Sequence, residues 1–398
     1  MSKHNGTGEA PDHGLRVYAD ITQLVSSPEN PTPLVKLNRS NPAREFPVYL
    51  KLERYNPFGS VKDRIVAEML AGLDRDSQTV IEPSSGNTGI ALVGMANALG
   101  IPAEIAVPKR IPEEKKVMLK FLGAKVVEAD DALCPLFPSE GARGLVNAMI
   151  KSPATKDSYV SPNQYENELN VRAHYRTTGP EIWKQTKGQV THFFAGLGTG
   201  GTISGVGRFL KEQNPAIKVI AIEPAAAEHK LPGLKRITGL DEEFIPKILD
   251  RSVIDGVIGV SDSDAYETAV RLARKDGIMV GPTTGAIVFA ALRSGKSARG
   301  LAVAISPDDA FKYASFYKDY LETSAQRPSR EFDLAGLVCP LSRIKAAELL
   351  DSLREGETVR LVLGDVDSVR SVAQEIKQRS LKPDYRQEDS RHVFTVKK

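Results

Sequence analysis

Four short segments carry residue types that catalysis uses. The first is NPFGSVKDR at residues 56–64. Asn56, Pro57 and Gly59 make a turn, Ser60 sits where a helix cap belongs, and Lys62 falls in the first helical turn. A lysine held there can point into a cleft. Burial and cationic neighbours then lower its pKa below the usual ~10.4, and the neutral amine can form a Schiff base. Judged alone, a lysine in such a turn is more often a solvated surface group.

The second segment is SSGNTG at 84–89, between an expected strand and an expected helix. Ser84, Ser85, Asn87 and Thr88 gather hydroxyl and amide groups with Gly86 at a helix N-terminus. Free backbone N–H groups there favour a carboxylate or a phosphate. The third is GLGTGGT at 196–202. Gly198, Gly200 and Gly201 let backbone N–H groups close on phosphate oxygens without a Cβ clash, and Thr199 and Thr202 add hydroxyl donors. This stretch also satisfies G-x-G-x-x-G through Gly196, Gly198 and Gly201, with Glu223 about 20 residues on. A nicotinamide oxidoreductase is therefore a competing reading, although it leaves the first two segments without a role. The fourth is GPTTGA at 281–286, where the Thr283 hydroxyl could reach a ring nitrogen or merely cap a helix.

The elements that must position these segments alternate between strand and helix. Strands are expected over 48–52, 79–82, 103–107, 125–128, 192–196, 218–222 and 301–305. Helices are expected over 61–73, 90–99 and 113–122, from about 202, over 262–275 and over 285–292. Such alternation implies an α/β fold with open, mostly parallel sheets. A polar stretch with a proline, TSAQRPSR at 323–330, reads as a linker. After it, strands over 331–334, 359–363 and 391–396, with helices from about 340 and over 368–379, outline a small α/β two-layer sandwich.

Composition narrows the classes. The chain has 398 residues, 41% hydrophobic and 26% charged, with a formal charge of +3, which fits a folded protein and gives no bulk attraction to nucleic acid or membrane surface. No apolar run approaches the ~18 residues that span a bilayer. Residues 1–14 are polar and read as a flexible tail. Two cysteines, Cys134 and Cys339, exclude a disulfide framework and suit a reducing cytoplasm. The six histidines are scattered without metal-ligand spacing, so no metal is expected.

Taken in order, the four segments resemble the cysteine synthase / cystathionine β-synthase family, the fold-type II pyridoxal-phosphate enzymes. The resemblance spans about 15–322 and includes TPLVKL at 32–37, TTGPEIW at 177–183 and AIEP at 221–224. It implies a two-subdomain catalytic fold, pyridoxal 5'-phosphate as cofactor, and a homodimer. Lys62 matches the Schiff-base lysine and the base that removes the substrate α-proton. Asn87 matches the residue bonded to the cofactor's 3′ oxygen. The groups that hold the substrate carboxylate match Ser84, Ser85, Gly86, Asn87 and Thr88, with Gln164 in SPNQYEN. Gly198, Thr199, Gly200, Gly201 and Thr202 match the phosphate cup, and Thr283 matches the position facing the pyridine nitrogen. A neutral hydroxyl there favours β-elimination over transamination. The implied reaction is β-replacement on an activated serine, O-acetylserine or O-phosphoserine, through an α-aminoacrylate to L-cysteine. Cystathionine or another β-substituted alanine is the alternative product. Lys235 and Arg236, in HKLPGLKRITG, fall where that family places groups near the cleft mouth; a guanidinium there could bind a phosphate leaving group, and a plain surface pair is the alternative.

The segment 331–398 carries FDLAGLVCPLSRIKAAELL and resembles TusA-like sulfur-carrier domains. Cys339 matches their persulfide cysteine, with Pro340 at the first helical position and the helix N-terminus favouring thiolate. Ser342 replaces the second proline of that family's CPxP. The sulfur would then come from sulfide or from a protein donor. A sulfur-relay module without catalysis is the alternative of another class. Cys134 receives no role.

Overall fold

In the computed structural model, which describes residues 17–41, 43–73, 78–84, 86–108, 113–129, 141–325, 330–353, 357–388 and 390–398, the alternation of strand and helix becomes three sheets. The chain divides into two compact units, one ending at Tyr317 and one running from Lys318 to Lys398.

The first unit holds two sheets. The larger orders its strands Leu34–Lys36, Val48–Leu52, Leu301–Ser306, Val190–Gly196, Lys218–Pro224 and Gly256–Val260. Its edge pair is antiparallel and the other pairings are parallel. Helices cover both faces, so the strands read as apolar runs and not as alternations; Phe193, Phe194, Val303 and Ala304 are fully buried. The smaller sheet orders Lys125–Ala129, Ala103–Pro108, Thr79–Pro83 and Tyr159–Val160, all parallel. Helices Lys62–Ala71 and Asn87–Ala98 pack into its core through Ile65, Val66, Met69, Leu70, Ile90 and Val93. A Cβ on Gly94 would strike the Phe58 ring, so this glycine lets the NPFG turn lie on the second helix.

The expected elements recur with shifted ends. The helix expected from 90 begins at Asn87, because Ser84 Oγ accepts the Gly89 N–H at 2.9 Å and organises the turn before it. The helix expected from 285 begins at Pro282, a residue suited to a first turn. Gly256–Val260 and the helices Gly141–Lys151, Leu169–Arg176 and Thr178–Gln185 were not read from the sequence.

In the second unit, Arg330–Asp333, Thr358–Leu363, Arg391–Lys397 and Pro383–Glu388 form one sheet. Helices Leu341–Asp351 and Val366–Gln378 pack on it around Leu349, Leu350, Leu361, Val372, Ile376 and Phe394. Pro383–Glu388 was missed because it is exposed along its whole length and offers no apolar alternation. Two expectations change. Helix Ala314–Ala325 runs into the stretch read as a linker, of which 326–329 lie outside the described residues. Pro340 is the cap residue, and the helix starts at Leu341. The tail 1–14, Ser85 and Cys134 also lie outside the described residues. Among the described residues, no helix is long and apolar enough to cross a membrane.

Candidate active site

The NPFGSVKDR turn is built to present one amine. Gly59 takes φ +76°, a conformation that side chains resist. Asp63 closes the turn, accepting the Phe58 N–H at 2.6 Å and the Ser60 hydroxyl at 3.1 Å. Ser60 Oγ accepts the Lys62 N–H at 3.2 Å, with Val61 in the cap position itself. The Val61 N–H bonds Pro307 O at 2.8 Å, tying the turn to the end of strand Leu301–Ser306. Lys62 thus starts its helix and lines a cleft of about 920 Å³. Burial lowers its pKa to about 8, and the Asp308 carboxylate opposes the shift. Burial pushes Asp63 the other way, up to about 7.

Behind Lys62, three quoted motifs meet in one buried charge cluster. Arg64 Nε bonds Glu53 Oε2 at 2.6 Å, and its terminal nitrogens reach both oxygens of Glu181 at 2.5 and 2.8 Å. Lys51 Nζ lies 2.6 Å from Glu181 Oε2. Thr32 bonds Glu53 and Thr177 accepts from Arg64, so TPLVKL and TTGPEIW anchor the helix of Lys62. All four charged side chains are fully buried and their charges balance. Burial alone would raise Glu53, but the Arg64 guanidinium overrides it and holds the carboxyl at about 2.

Across the cleft, GLGTGGT leads from strand Val190–Gly196 into helix Gly201–Gln213. Gly200 takes φ +89°. A Cβ would stand 2.6 Å from Gly233 O at Gly198 and 3.0 Å from Leu249 at Gly200, and at Gly201 it would overlap the Asn170 amide. The bare backbone is therefore a packing requirement as well as an anion cradle. Gly198, Thr199, Gly200 and Thr202 line the cleft, whereas Gly201 packs on Asn170 behind it. His174 supports the cradle from below, with Nε2 3.1 Å from Thr202 Oγ1 and Nδ1 2.9 Å from Thr178 Oγ1. Burial, reinforced by the charges of Arg64 and Lys62, drops its pKa to about 3, so it is neutral.

Ser84, Gly86, Asn87, Thr88 and Gln164 share the cleft wall. Thr88 Oγ1 donates to Gln164 Oε1 at 2.8 Å. Glu82 holds the Gln164 segment, accepting the Asn163 and Gln164 N–H groups at 2.9 and 3.0 Å. Asn87 donates to Asp308 at 2.6 Å and accepts from Lys312 at 3.2 Å. Thr283 lines the opposite wall, but its hydroxyl gives its one proton to Pro232 O at 2.8 Å. Facing a ring nitrogen as a donor would require breaking that bond. At the mouth, Arg236 lines the cleft, and Lys235 and Arg143 both lie over the Tyr165 ring, at 4.2 and 4.6 Å.

Several of these residues lie outside the four motifs and were not expected from the sequence: His174, Asn170, Glu82, Asp308 and Lys312. Glu82 ends one expected parallel strand and Asp308 follows another, where α/β proteins place their sites, so position alone could have marked them. The nicotinamide alternative loses its acid, because Glu223 Oε2 accepts the Ile237 and Thr238 N–H groups at 2.8 and 3.0 Å. That carboxylate anchors a loop.

The cleft fits pyridoxal phosphate on its own features: a cradle that Cβ atoms would fill and an amine of lowered pKa lining the same cleft. An amine facing such a cradle in an α/β fold defines the class of pyridoxal-phosphate enzymes. The pyridoxal-phosphate dependent enzyme family matches this chain over residues 25–308, and the chain belongs to that family. The cysteine synthase of Aquifex aeolicus is 41% identical over 319 residues, covering 77% of this chain and 94% of that protein. Among solved structures, a hydrogen sulfide-producing enzyme from Fusobacterium nucleatum is 31% identical with a TM-score of 0.66, over 75% of this chain and 98% of its own. A cysteine synthase from Entamoeba histolytica is 30% identical with a TM-score of 0.67, over 77% and 91%.

Proposed function

We propose that the chain makes L-cysteine by replacing the Cβ substituent of an activated L-serine with sulfur. The observation that carries this reading is the Lys62 amine, held at the cleft with a pKa near 8 opposite the glycine cradle. Bound pyridoxal phosphate supplies an electron-withdrawing ring that acidifies the substrate Cα–H. Lys62 would hold the cofactor through its amine, and its Nζ would accept the substrate α-proton. The 198–202 loop grips the phosphate, and Thr88 and Gln164 with the start of helix Asn87–Ala98 orient the carboxylate. Thr283, a neutral hydroxyl that donates to Pro232 O, would give the ring nitrogen no acid partner, which would disfavour transamination.

The leaving group is acetate or phosphate. Arg236, Lys235 and Arg143 at the mouth favour the phosphate ester, since guanidinium and ammonium groups match its charge. The catalytic segment 15–322 is paired with a sulfur-carrier domain at 331–398, in which Cys339 delivers sulfur as a persulfide. Cys339 is exposed, and its Sγ lies 3.3 Å from Ser371 Oγ. Ser342 is buried and bonds Ser368 Oγ at 2.8 Å, so the departure from CPxP joins two helix starts by a hydrogen bond. In the transfer, the leaving group departs after the α-proton has moved to Lys62, the terminal persulfide sulfur bonds to Cβ as it loses its own proton, and the Lys62 proton returns to Cα. The resulting disulfide between product and Cys339 is then cleaved by a dithiol, which is oxidised as both thiols are restored. The same reading places the enzyme in a reducing cytoplasm as a homodimer.

The test is purified holoenzyme given O-acetylserine, O-phosphoserine or serine, each with sulfide and each with homocysteine. Cysteine from an activated serine is expected. Cystathionine as the main product, or no turnover with any donor, overturns the reading.

A further inference from the structure

In the SSGNTG loop the Asn87 and Thr88 side chains already donate to other protein groups. Ser84 Oγ takes the Gly86 and Gly89 N–H groups at 3.3 and 2.9 Å. The Thr88 hydroxyl goes to Gln164, and the Asn87 carboxamide is held between Asp308 and Lys312. A carboxylate arriving there meets the first backbone N–H groups of helix Asn87–Ala98, which carry partial charges.

A full charge stands beside them. Lys115, from helix Glu113–Phe121, belongs to none of the four motifs, yet it is 6% exposed and lines the cleft. Its Nζ lies 3.3 Å from where a Cβ on Gly86 would be, and 4.8 Å from the centre of the Tyr313 ring. Among the described residues no carboxylate comes within 4.0 Å of it, and Asp308 acts on it from farther off. Burial lowers its pKa, with Asp308 opposing. A buried ammonium without a close counterion is costly until an anion joins it.

We infer that Lys115 is the counterion of the substrate α-carboxylate at the SSGNTG loop. The inference rests on the proposed reading that this loop takes an amino acid. Tyr313 holds the ammonium over its ring face, and the carboxylate that binds at the helix start completes its charge. Lys115 thereby selects amino acids with a free carboxylate over their neutral amides.

The experiment titrates holoenzyme with L-alanine and with L-alaninamide, neither of which has a leaving group, and follows the cofactor absorbance. Lys115→Gln is expected to weaken L-alanine about 10- to 100-fold, the worth of a charged hydrogen bond, and to leave L-alaninamide within about twofold. Lys115→Arg, which keeps the charge, should hold both ligands within about threefold. Lys115→Met keeps a long chain on Tyr313 and carries the same comparison if the Gln variant folds poorly. Equal weakening of both ligands, or no weakening of L-alanine, overturns the inference and leaves the β-replacement reading intact. A wild-type holoenzyme that answers neither ligand while remaining loaded with cofactor overturns both.

Discussion

At the scale of the residue, Lys62 joins sequence to chemistry through its surroundings. An ordinary lysine is almost wholly protonated near neutrality, whereas burial brings this one to about 8. The neutral fraction, which is the form that captures an aldehyde, then climbs with pH and saturates above that value. The rate at which apoprotein takes up pyridoxal phosphate should therefore rise towards pH 8 and flatten beyond it. Stopped-flow absorbance across pH 6.5 to 10 checks this (roughly the span between a His-like and a Lys-like pKa), and a rise continuing past ~10 would show an unshifted amine. His174 is the opposite case. It is neutral when folded down to about pH 3, whereas an unfolded chain protonates it near 6.5. Between those values the unfolded state binds the extra proton, so stability falls as the pH falls, by at most about 1.4 kcal/mol per pH unit from this group. Replacing it by Asn should flatten that acid limb in urea midpoints measured against pH. An unchanged slope would mean that other groups carry the acid lability.

At the scale of the element, helix Lys62–Ala71 is held in place by charge as well as by its apolar face. Arg64 lies two residues after Lys62 and is locked by Glu53 and Glu181, which come from separate parts of the chain. Removing one partner of such a buried cluster strands the others, at a cost of about 3–5 kcal/mol. Glu181→Ala should lower the urea midpoint by that order and loosen cofactor binding, although Glu181 makes no contact with the cofactor in the proposed arrangement. A variant as stable as wild type would remove the cluster from the list of what positions Lys62. The motifs TPLVKL and TTGPEIW were visible in the sequence only as resemblance, and their shared partner explains why they accompany the lysine motif. Strands and helices with strong apolar periodicity were legible, as were the glycine cradle and its helix. The partners of Arg64 were not legible, because no local period links it to Glu53, 11 positions before, or to Glu181, 117 positions after. For the same reason Lys115, in EEKK, is not among the residues the sequence singles out.

At the scale of the whole molecule, the family match ends at residue 308 and a second compact unit follows from Lys318, with its own sheet and core. That division turns the sulfur-carrier proposal into a question of supply. Sulfide is small and reaches the cleft by diffusion, whereas a persulfide on Cys339 is tethered and acts at an effective concentration set by the connecting chain. The two routes share Lys62 and every cofactor contact, so they separate at one side chain. Cys339→Ala should leave turnover with free sulfide within about twofold, because an exposed cysteine replaced by alanine disturbs little packing. Product formed from a persulfide donor in a single turnover, with excess donor removed before the dithiol is added so that no free sulfide is released, should fall to background in the same variant. Ser342→Pro, which restores the carrier family's CPxP, gives up the Ser368 hydrogen bond and tests whether that bond is needed where the sulfur is held. Cysteine release in single-turnover assays is the measurement for each. Equal loss of both routes in Cys339→Ala would make Cys339 a structural residue of its own unit, and undiminished persulfide-fed turnover would mean that the donor reaches the cleft without it.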